Sequence, residues 1–524
     1  MSKSISKTSN ALNDWGDLRP RLILEGILVG VLSGLIVVAY RVILDYAEEI
    51  RLLIYSFINS KPTSIFLWFL ALAIIAYILG LIVKAEPLVG GSGIPQVKGQ
   101  LMGKIYIRWP KVILWKFIGG VLAIGVGLSL GREGPSVQLG GAIGHGTGRL
   151  LGRSRMENKY LITCGASAGL AAAFNAPLAG VIFVLEELHK NFSPVVLSSA
   201  MVASLAADFI SQYFFGQRPV FSFPNISPLP LKYYGFLIVL GLLLGVGGVF
   251  FNYILLKTQE LYKQLSIPLH FRPMIPVLIA GVLGIFLPDV LGGGQKLVIK
   301  LGNTDMLFVT LIILVVVKFA FTMLSYGSGV PGGIFLPLLV IGALIGNITG
   351  VVFSSFAHLP KEFVDNIIVF AMAGYFTAIV KAPITGMVLI TEMTGSFSNL
   401  LPVAVVSLSA YLMTDVFRSR PIYEALLEKL LVKSQAPLNL DKKGKKIVLE
   451  ISIALGSFLD RKYIKDVKWP QECLLVGVIR GEKEIIPKGD TKLQFGDYLV
   501  VLTNEKDEAK LREHLQRLSY VQTE

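Results

Sequence analysis

With 53% apolar and only 16% charged residues over 524 positions, and a mean hydropathy of +0.66, the chain is too apolar for a water-soluble globule, in which about a quarter of residues are charged. Its net charge of +14 fits basic cytoplasmic loops and tails and favours anions at the surface, and the hydropathy argues against nucleic acid as the partner. The two cysteines, Cys164 and Cys473, stand in unrelated contexts, which leaves neither a disulfide framework nor a cysteine metal site.

In chain order, residues 1–21 are polar and read as a cytoplasmic N-terminal segment without the apolar core of a cleaved secretory signal. Apolar runs long enough to span a bilayer follow, most clearly at 22–40, 65–83, 236–255 and 306–325. The fold class expected is an all-α polytopic membrane protein. Three glycine- and proline-rich stretches interrupt the apolar runs: GGSGIP at 90–95, GREGP at 131–135 and GSGVPGGIFLP at 327–337. Each alone fits close packing of small residues. The second places Arg132 and Glu133 between apolar runs, and a carboxylate at membrane depth is costly unless it has a partner or a task.

These stretches belong to an internal repeat. Lys116-Phe117 recurs as Lys318-Phe319, 202 positions on, and Gly131, Pro135, Gly140 and Gly144 recur at the same displacement. Gly90-Gly91 matches Gly292-Gly293. Ala176, Pro177, Gly180 and Glu186 pair with Ala382, Pro383, Gly386 and Glu392, 206 positions on. Two-half transporters place substrate between the halves, where broken helices aim their N-termini. Such a terminus offers unpaired N–H groups and a partial positive charge, enough to hold an anion without a full cation.

Beyond the apolar body, 31 of the 92 residues from Lys433 to Glu524 are charged. The boundaries expected are a membrane body at 22–430, with halves at about 22–215 and 232–430, a linker at 431–444 containing Pro437, and a small α+β domain at 445–524. The basic run DKKGKK keeps this tail on the cytoplasmic side. KIVLEISI, LLVGVIR, KEIIP and GDYLVVLT read as strands, with Gly481-Glu482 as a hairpin turn. EKDEAKLREHLQRL reads as an amphipathic helix with Leu511, Leu515 and Leu518 on one stripe.

GSGIP, GREGP and GGIFLP in this order closely resemble the CLC family of chloride channels and proton-coupled chloride transporters, over about residues 22–430. The resemblance implies an inverted repeat of tilted, broken helices and a homodimer with one pore per subunit. It implies that the Ser92 hydroxyl and the neighbouring Gly93 and Ile94 amides coordinate chloride, with the backbone N–H groups of Ile334 and Phe335 and the Tyr423 hydroxyl on the same ion. Serine at position 92 argues for chloride over nitrate. By the same resemblance Glu133 is the gate, ionised in an anion position and swung aside when protonated. Glu187 is the internal proton-transfer residue, a carboxylate that passive channels of the family usually lack. Glu186 matches a residue thought to assist the proton path, but its repeat mate Glu392 favours a structural role equally. Lys116, with Arg132 nearby, biases the field toward anions; for Lys116 and Lys318 the alternatives are a carboxylate partner or snorkelling. The tail pattern IP.GDT.L..GD.L.V resembles the RCK-C or TrkA-C family, which implies a dimerising regulatory module with a small, nucleotide-like ligand, against the alternative of an assembly module without one.

The function expected is therefore an H+/Cl− antiporter of the inner (plasma) membrane, with no covalent chemistry, catalytic residue, metal or cofactor. The first rival is a passive gated chloride channel on the same fold. The second is a membrane-bound sensor whose body barely transports.

Overall fold

The structure, a computed structural model, describes residues 2–190, 194–217, 219–221, 223, 227–304, 306–434, 446–454, 456–471, 473–480, 483–504 and 508–519. It divides into two compact units, Met1–Ser434 and Gln435–Glu524.

The first half of the larger unit contains α1 (Ser2–Ser60), α2 (Ile65–Ala85), α3 (Ile94–Leu101), α4 (Trp109–Gly125), α5 (Glu133–Leu150), α6 (Arg155–Phe174), α7 (Pro177–Phe183) and α8 (Pro194–Phe215). The second half repeats this order as α9 (Tyr234–Gln264), α10 (Met274–Phe286), α11 (Gln295–Asn303), α12 (Phe308–Gly327), α13 (Phe335–Ala357), α14 (Val364–Val380), α15 (Pro383–Thr394) and α16 (Leu400–Val416), with α17 (Ile422–Ser434) closing the unit. Among the described residues, nine helices are long and apolar enough to cross a membrane. Large apolar side chains such as Phe66, Phe209, Phe286 and Leu307 face outward, as they do where the surroundings are lipid. The chain is a multi-pass membrane protein.

The halves correspond in packing as well as order. α1 lies on α6 and α8, and α9 lies on α14 and α16; α5 packs on α6 as α13 packs on α14. The repeat register differs by one residue in the first glycine loop. Gly91 and Gly93, at φ 67° and 100°, correspond to Gly292 and Gly294, at φ 63° and 90°. The 3₁₀ turns Pro87–Val89 and Pro288–Val290 keep the same offset. The displacement here is 201, so Ser92 faces Gly293 across the repeat. The glycine pairs in the sequence conceal this, because a third glycine, Gly294, follows in the second half.

The boundary expected after residue 21 falls inside α1, and the span expected at 22–40 continues to Ser60. Charges at 41–51 look like the end of a span. Two of them instead hold carbonyls of neighbouring helices. Arg41 donates to the Ala172 carbonyl, Asn175 Oδ1 and Ser211 Oγ. Arg51 donates to the Ile124 and Gly125 carbonyls at the end of α4. The other three expected spans are α2, α9 and α12, with α9 continuing nine residues past position 255.

Helices in the body touch backbone to backbone. A Cβ at Gly140 or at Gly165 would lie 2.0 Å from the other residue's carbonyl oxygen. Glycine allows this approach, and the gain is dispersion between the helices.

In the smaller unit, β1 (Lys446–Ser452), β2 (Leu474–Arg480), β3 (Lys483–Ile485) and β4 (Asp497–Asn504) form one antiparallel sheet in the order β1-β4-β2-β3. The expected strands are all present, and the hairpin turn at Gly481-Glu482 lies outside the described residues. α18 (Glu508–Ser519) packs on β1. Leu511 and Leu515 bury against Leu449, Val478 and Val501, while Leu518 is partly buried beside them. Arg480 donates Nε to Asp497 Oδ1 and Nη2 to Oδ2, both at 2.8 Å. This fork holds the guanidinium above its ordinary pKa.

Gly165→Val is expected to abolish a monodisperse folded protein on size exclusion, because overpacking against backbone costs about 1–3 kcal/mol or more. Gly235→Ala, where an added Cβ meets open space, is expected to keep the wild-type elution and melting temperature.

Candidate functional site

The three glycine-rich loops meet and are joined by main-chain hydrogen bonds. Gly91 N donates to Val330 O at 3.0 Å, and Gly332 N to Gly91 O at 3.0 Å. Gly131 and Gly333 exchange both bonds, at 2.7 and 2.8 Å. Loops from opposite halves are thereby locked together, and the first turns of α3, α5 and α13 leave from this junction.

Two fully buried lysines set the orientation of the loop peptides. Lys116 Nζ donates to the carbonyls of Val89 (2.9 Å) and Gly91 (2.7 Å). Lys318 Nζ donates to those of Val290 (2.9 Å) and Gly292 (2.7 Å). Among the described residues neither has a carboxylate partner, and both ammonium groups stay buried rather than snorkelling. A trans peptide points its N–H opposite to its C=O. Fixing Gly91 O on Lys116 therefore turns the Ser92 amide away from the lysine, toward the Tyr326 hydroxyl. Gln96 Nε2 holds Gly90 O at 2.7 Å, and Gln138 Nε2 holds Leu88 O at 2.9 Å. Gly93 is required at the start of α3: its φ is 100°, and a Cβ there would lie 2.7 Å from Gln138. Ile94 follows as the first helical residue.

α5 and α13 begin face to face, one from each half. Arg132 is the N-cap of α5 and Ile334 that of α13; Glu133 and Phe335 are the first helical residues. Pro135 and Pro337 take the third positions, where a missing N–H removes no intrahelical bond. The Glu133 carboxylate is fully buried. Its Oε2 lies 3.4 Å from Leu336 N, and it faces the amides of Arg132 and of Glu133 itself. A Cβ at Gly131 would lie 2.1 Å from this oxygen, so glycine there makes room for the carboxylate. Arg132 turns the other way, toward Asp45 (3.6 Å) and Gln295 Oε1 (3.3 Å).

Among the described residues, the buried Ser92 Oγ, Tyr423 Oη and Glu133 Oε1 have no protein partner, and neither have Gln96 Oε1, Gln138 Oε1 and Arg132 Nε beside them. A buried hydroxyl left unmatched costs about 1–3 kcal/mol, so such atoms mark places made for something else. Tyr423, at the start of α17, packs edge-on against Phe183, and Phe183 against Phe335. Its hydroxyl is within electrostatic reach of Glu133 and Glu187. The Phe335 ring also contacts Phe174 and Phe376, which anchors the start of α13 and leaves its backbone amides as the polar surface. A cleft reaches Ser92 past Tyr326, Lys263, Arg272 and Lys429. A separate cleft reaches Leu336 past Arg132, Arg51 and Gln295.

The paired glutamates part company in role. Glu186 accepts from Ile384 N (3.2 Å), Thr385 N (2.7 Å) and Thr385 Oγ1 (2.7 Å), at the start of α15. Glu392, near the end of α15, accepts from Leu178 N (3.0 Å) and Ala179 N (2.7 Å), at the start of α7. Each half thus caps a broken helix of the other, the reciprocity of a pseudo-twofold. Glu187 lies in the π-helical turn Val184–His189 that follows α7 and points inward, 2.7 Å from Lys98 Nζ. Lys98, Glu424, Tyr326 and Gln138 were not singled out from sequence. For Lys98 the available signal was a lysine one turn into α3, beside the serine motif.

Residues 75–415 match the family described as voltage gated chloride channel, and residues 448–516 match the TrkA-C domain. The H(+)/Cl(−) exchange transporter ClcA of Yersinia pseudotuberculosis serotype IB (strain PB1/+) is 34% identical over 443 residues, covering 80% of this chain and 90% of that protein. The crystal structure of a slow cyanobacterial Cl−/H+ antiporter superposes with a TM-score of 0.76 at 31% identity, over 79% of this chain and 99% of that one. A CLC-type fluoride/proton antiporter superposes with a TM-score of 0.63 at 25% identity, over 77% and 97%.

Removing a cap leaves two amides unmatched. Glu392→Ala and Glu186→Ala are each expected to lower stability in detergent by about 1–3 kcal/mol, read from thermal unfolding. Glu186→Ala is expected to retain its ratio of protons to chloride in vesicle flux assays.

Proposed function

Since the chain belongs to the voltage-gated chloride channel family, we propose that it is a secondary active transporter that exchanges chloride for protons. The observation that carries this reading is the Glu133 carboxylate buried among backbone amides where two helices from opposite halves begin. A carboxylate and a chloride ion make the same demand on such donors: one negative charge and several N–H bonds. They compete for one place. Protonation takes away the charge that the amides attract, so the side chain leaves and an anion can enter. One residue thereby couples the two ions.

Chloride is bound by the unpartnered hydroxyls of Ser92 and Tyr423, together with the first-turn amides of Gly93 and Ile94 and those of Ile334 and Phe335. Lys116 and Lys318 contribute by turning peptides rather than by touching the ion, and Arg132 adds positive potential at the outer cleft. The cleft at Ser92 opens inward and the cleft at Leu336 outward, with Glu133 between them. Glu187 receives the proton on the inner side, and the Tyr423 hydroxyl is within electrostatic reach of both carboxylates. A carboxylate on this inner side favours antiport over a passive channel.

The membrane body spans residues 22–430 and works as a homodimer in the inner membrane. Residues 445–524 lie in the cytoplasm and modulate transport through a small, nucleotide-like ligand. The similarity to the TrkA-C domain and the basic run before β1 support this placement.

In proteoliposomes with a pH gradient at fixed chloride, the reversal potential is expected to shift with pH for the wild type. Glu133→Gln is expected to keep chloride movement and lose the pH dependence. A wild-type reversal potential indifferent to pH identifies a passive channel instead.

A further inference from the structure

Building on the proton path through Glu187, we infer that Lys98 is a positioning residue that divides its ammonium group between Glu187 and Glu424, and that this division sets the pH range in which the inner carboxylate takes up protons. Lys98 Nζ lies 2.7 Å from Glu187 Oε1 and 3.5 Å from Glu424 Oε1. The same Glu424 oxygen is paired with Lys190. The four charges alternate in sign and run outward: the side chains of Glu187 and Lys98 are 4% and 5% exposed, those of Glu424 and Lys190 36% and 52%. This is a graded route from a buried carboxylate to water.

The arrangement is more than a buried ion pair. A closed pair holds its carboxylate ionised and inert. Here the ammonium has a second carboxylate within 4 Å, and that carboxylate reaches solvent. Movement of Lys98 toward Glu424 leaves Glu187 as an unmatched buried anion, which favours taking up a proton. Movement back favours release. The other charged and titratable groups around Glu187 are accounted for. Lys190 pairs with Glu424. His189 Nδ1 faces Thr163 Oγ1 at 3.4 Å, with Lys159 of α6 beside it. Glu186 is committed to α15. Tyr423 presents a neutral hydroxyl from α17. Among the described residues, only Lys98 has an ammonium within 4.0 Å of a Glu187 oxygen.

Position on α3 ties this switch to the anion. Lys98 lies one turn after Ile94 on the short helix that Gly93 caps and Ser92 immediately precedes. A shift of α3 by a fraction of an ångström on anion binding alters the two Lys98 distances directly.

The test uses the full chain in proteoliposomes, with chloride-driven proton uptake measured from acidic to neutral pH. Lys98→Met is expected to move the half-maximal pH upward by about 1–3 units, because Glu187 then keeps its proton without an ammonium opposing it. Glu424→Gln is expected to move it downward, because Lys98 then serves Glu187 alone. Lys98→Arg is expected to restore a profile near wild type. Shifts in the same direction, or no shift, overturn the inference, since a merely structural lysine predicts no opposed pair. If Lys98→Met yields no folded protein, an unmoved profile in Glu424→Gln overturns it and a downward shift supports it. Glu187→Gln separates the two readings. Continued proton movement in that variant refutes the proton path itself, whereas uncoupling there with unshifted Lys98 and Glu424 variants refutes only the role of Lys98.

Discussion

The site depends on the planarity of the trans peptide. A buried ammonium that captures a carbonyl on one side of a loop commits the next N–H to the opposite side. Lys116 and Lys318 each do this twice, on equivalent carbonyls of the two halves. Each lysine loses several kcal/mol of hydration on burial, which charge-assisted bonds to two carbonyls offset in part. What results is a loop whose Ser92 amide points away from the lysine, while the Gly90 and Leu291 amides close their 3₁₀ turns on Pro87 and Pro288. The hydrogen bonds between Gly91 and its partners Val330 and Gly332, and between Gly131 and Gly333, then hold the loops of the two halves in register.

Against that fixed backbone, one residue type is put to three uses by its surroundings. Glu186 and Glu392 meet two first-turn amides each and act as caps. Glu133 meets amides from two helices, but one oxygen remains unmatched, which in the proposed function lets an anion take its place. Glu187 meets an ammonium that has another carboxylate to go to. Charge and side-chain length are identical in all four. The number of competing partners decides which are permanent and which can exchange.

That distinction explains which parts were legible in the sequence. Helix order, the repeat and the strands of the tail follow from hydropathy, glycine spacing and alternation, which are local or nearly so. Gly131, Pro135 and their mates at 333 and 337 mark broken helices because backbone geometry demands those residue types. The role of Glu186 required its partner at the start of α15, some 200 residues away, and its repeat mate Glu392 was the only sequence hint. The true extent of α1 was hidden because Arg41 and Arg51 look like a span's polar end until the carbonyls they hold are seen. Lys98 was invisible for a similar reason: a lysine following a chloride motif resembles a surface charge, and only the packing of α3 against α17 and the turn after α7 gives it two carboxylates.

Four of the full charges around the proposed anion path are already committed. Lys116 and Lys318 are bound to carbonyls, Lys98 to carboxylates, and Arg132 reaches toward Asp45 and Gln295. On the proposed reading, an anion between α5 and α13 meets helix ends, each equivalent to about half a charge, and hydroxyls. At an effective dielectric constant of about 20, a free ammonium 4 Å away would contribute about 4 kcal/mol and a helix end about half as much. The difference, about 2 kcal/mol, slows departure by more than tenfold. On the proposed reading, a transporter that must release its ion on every cycle gains from using Lys116 and Lys318 to aim dipoles rather than to grip the anion, and the same economy lets a single glutamate serve as chloride's competitor.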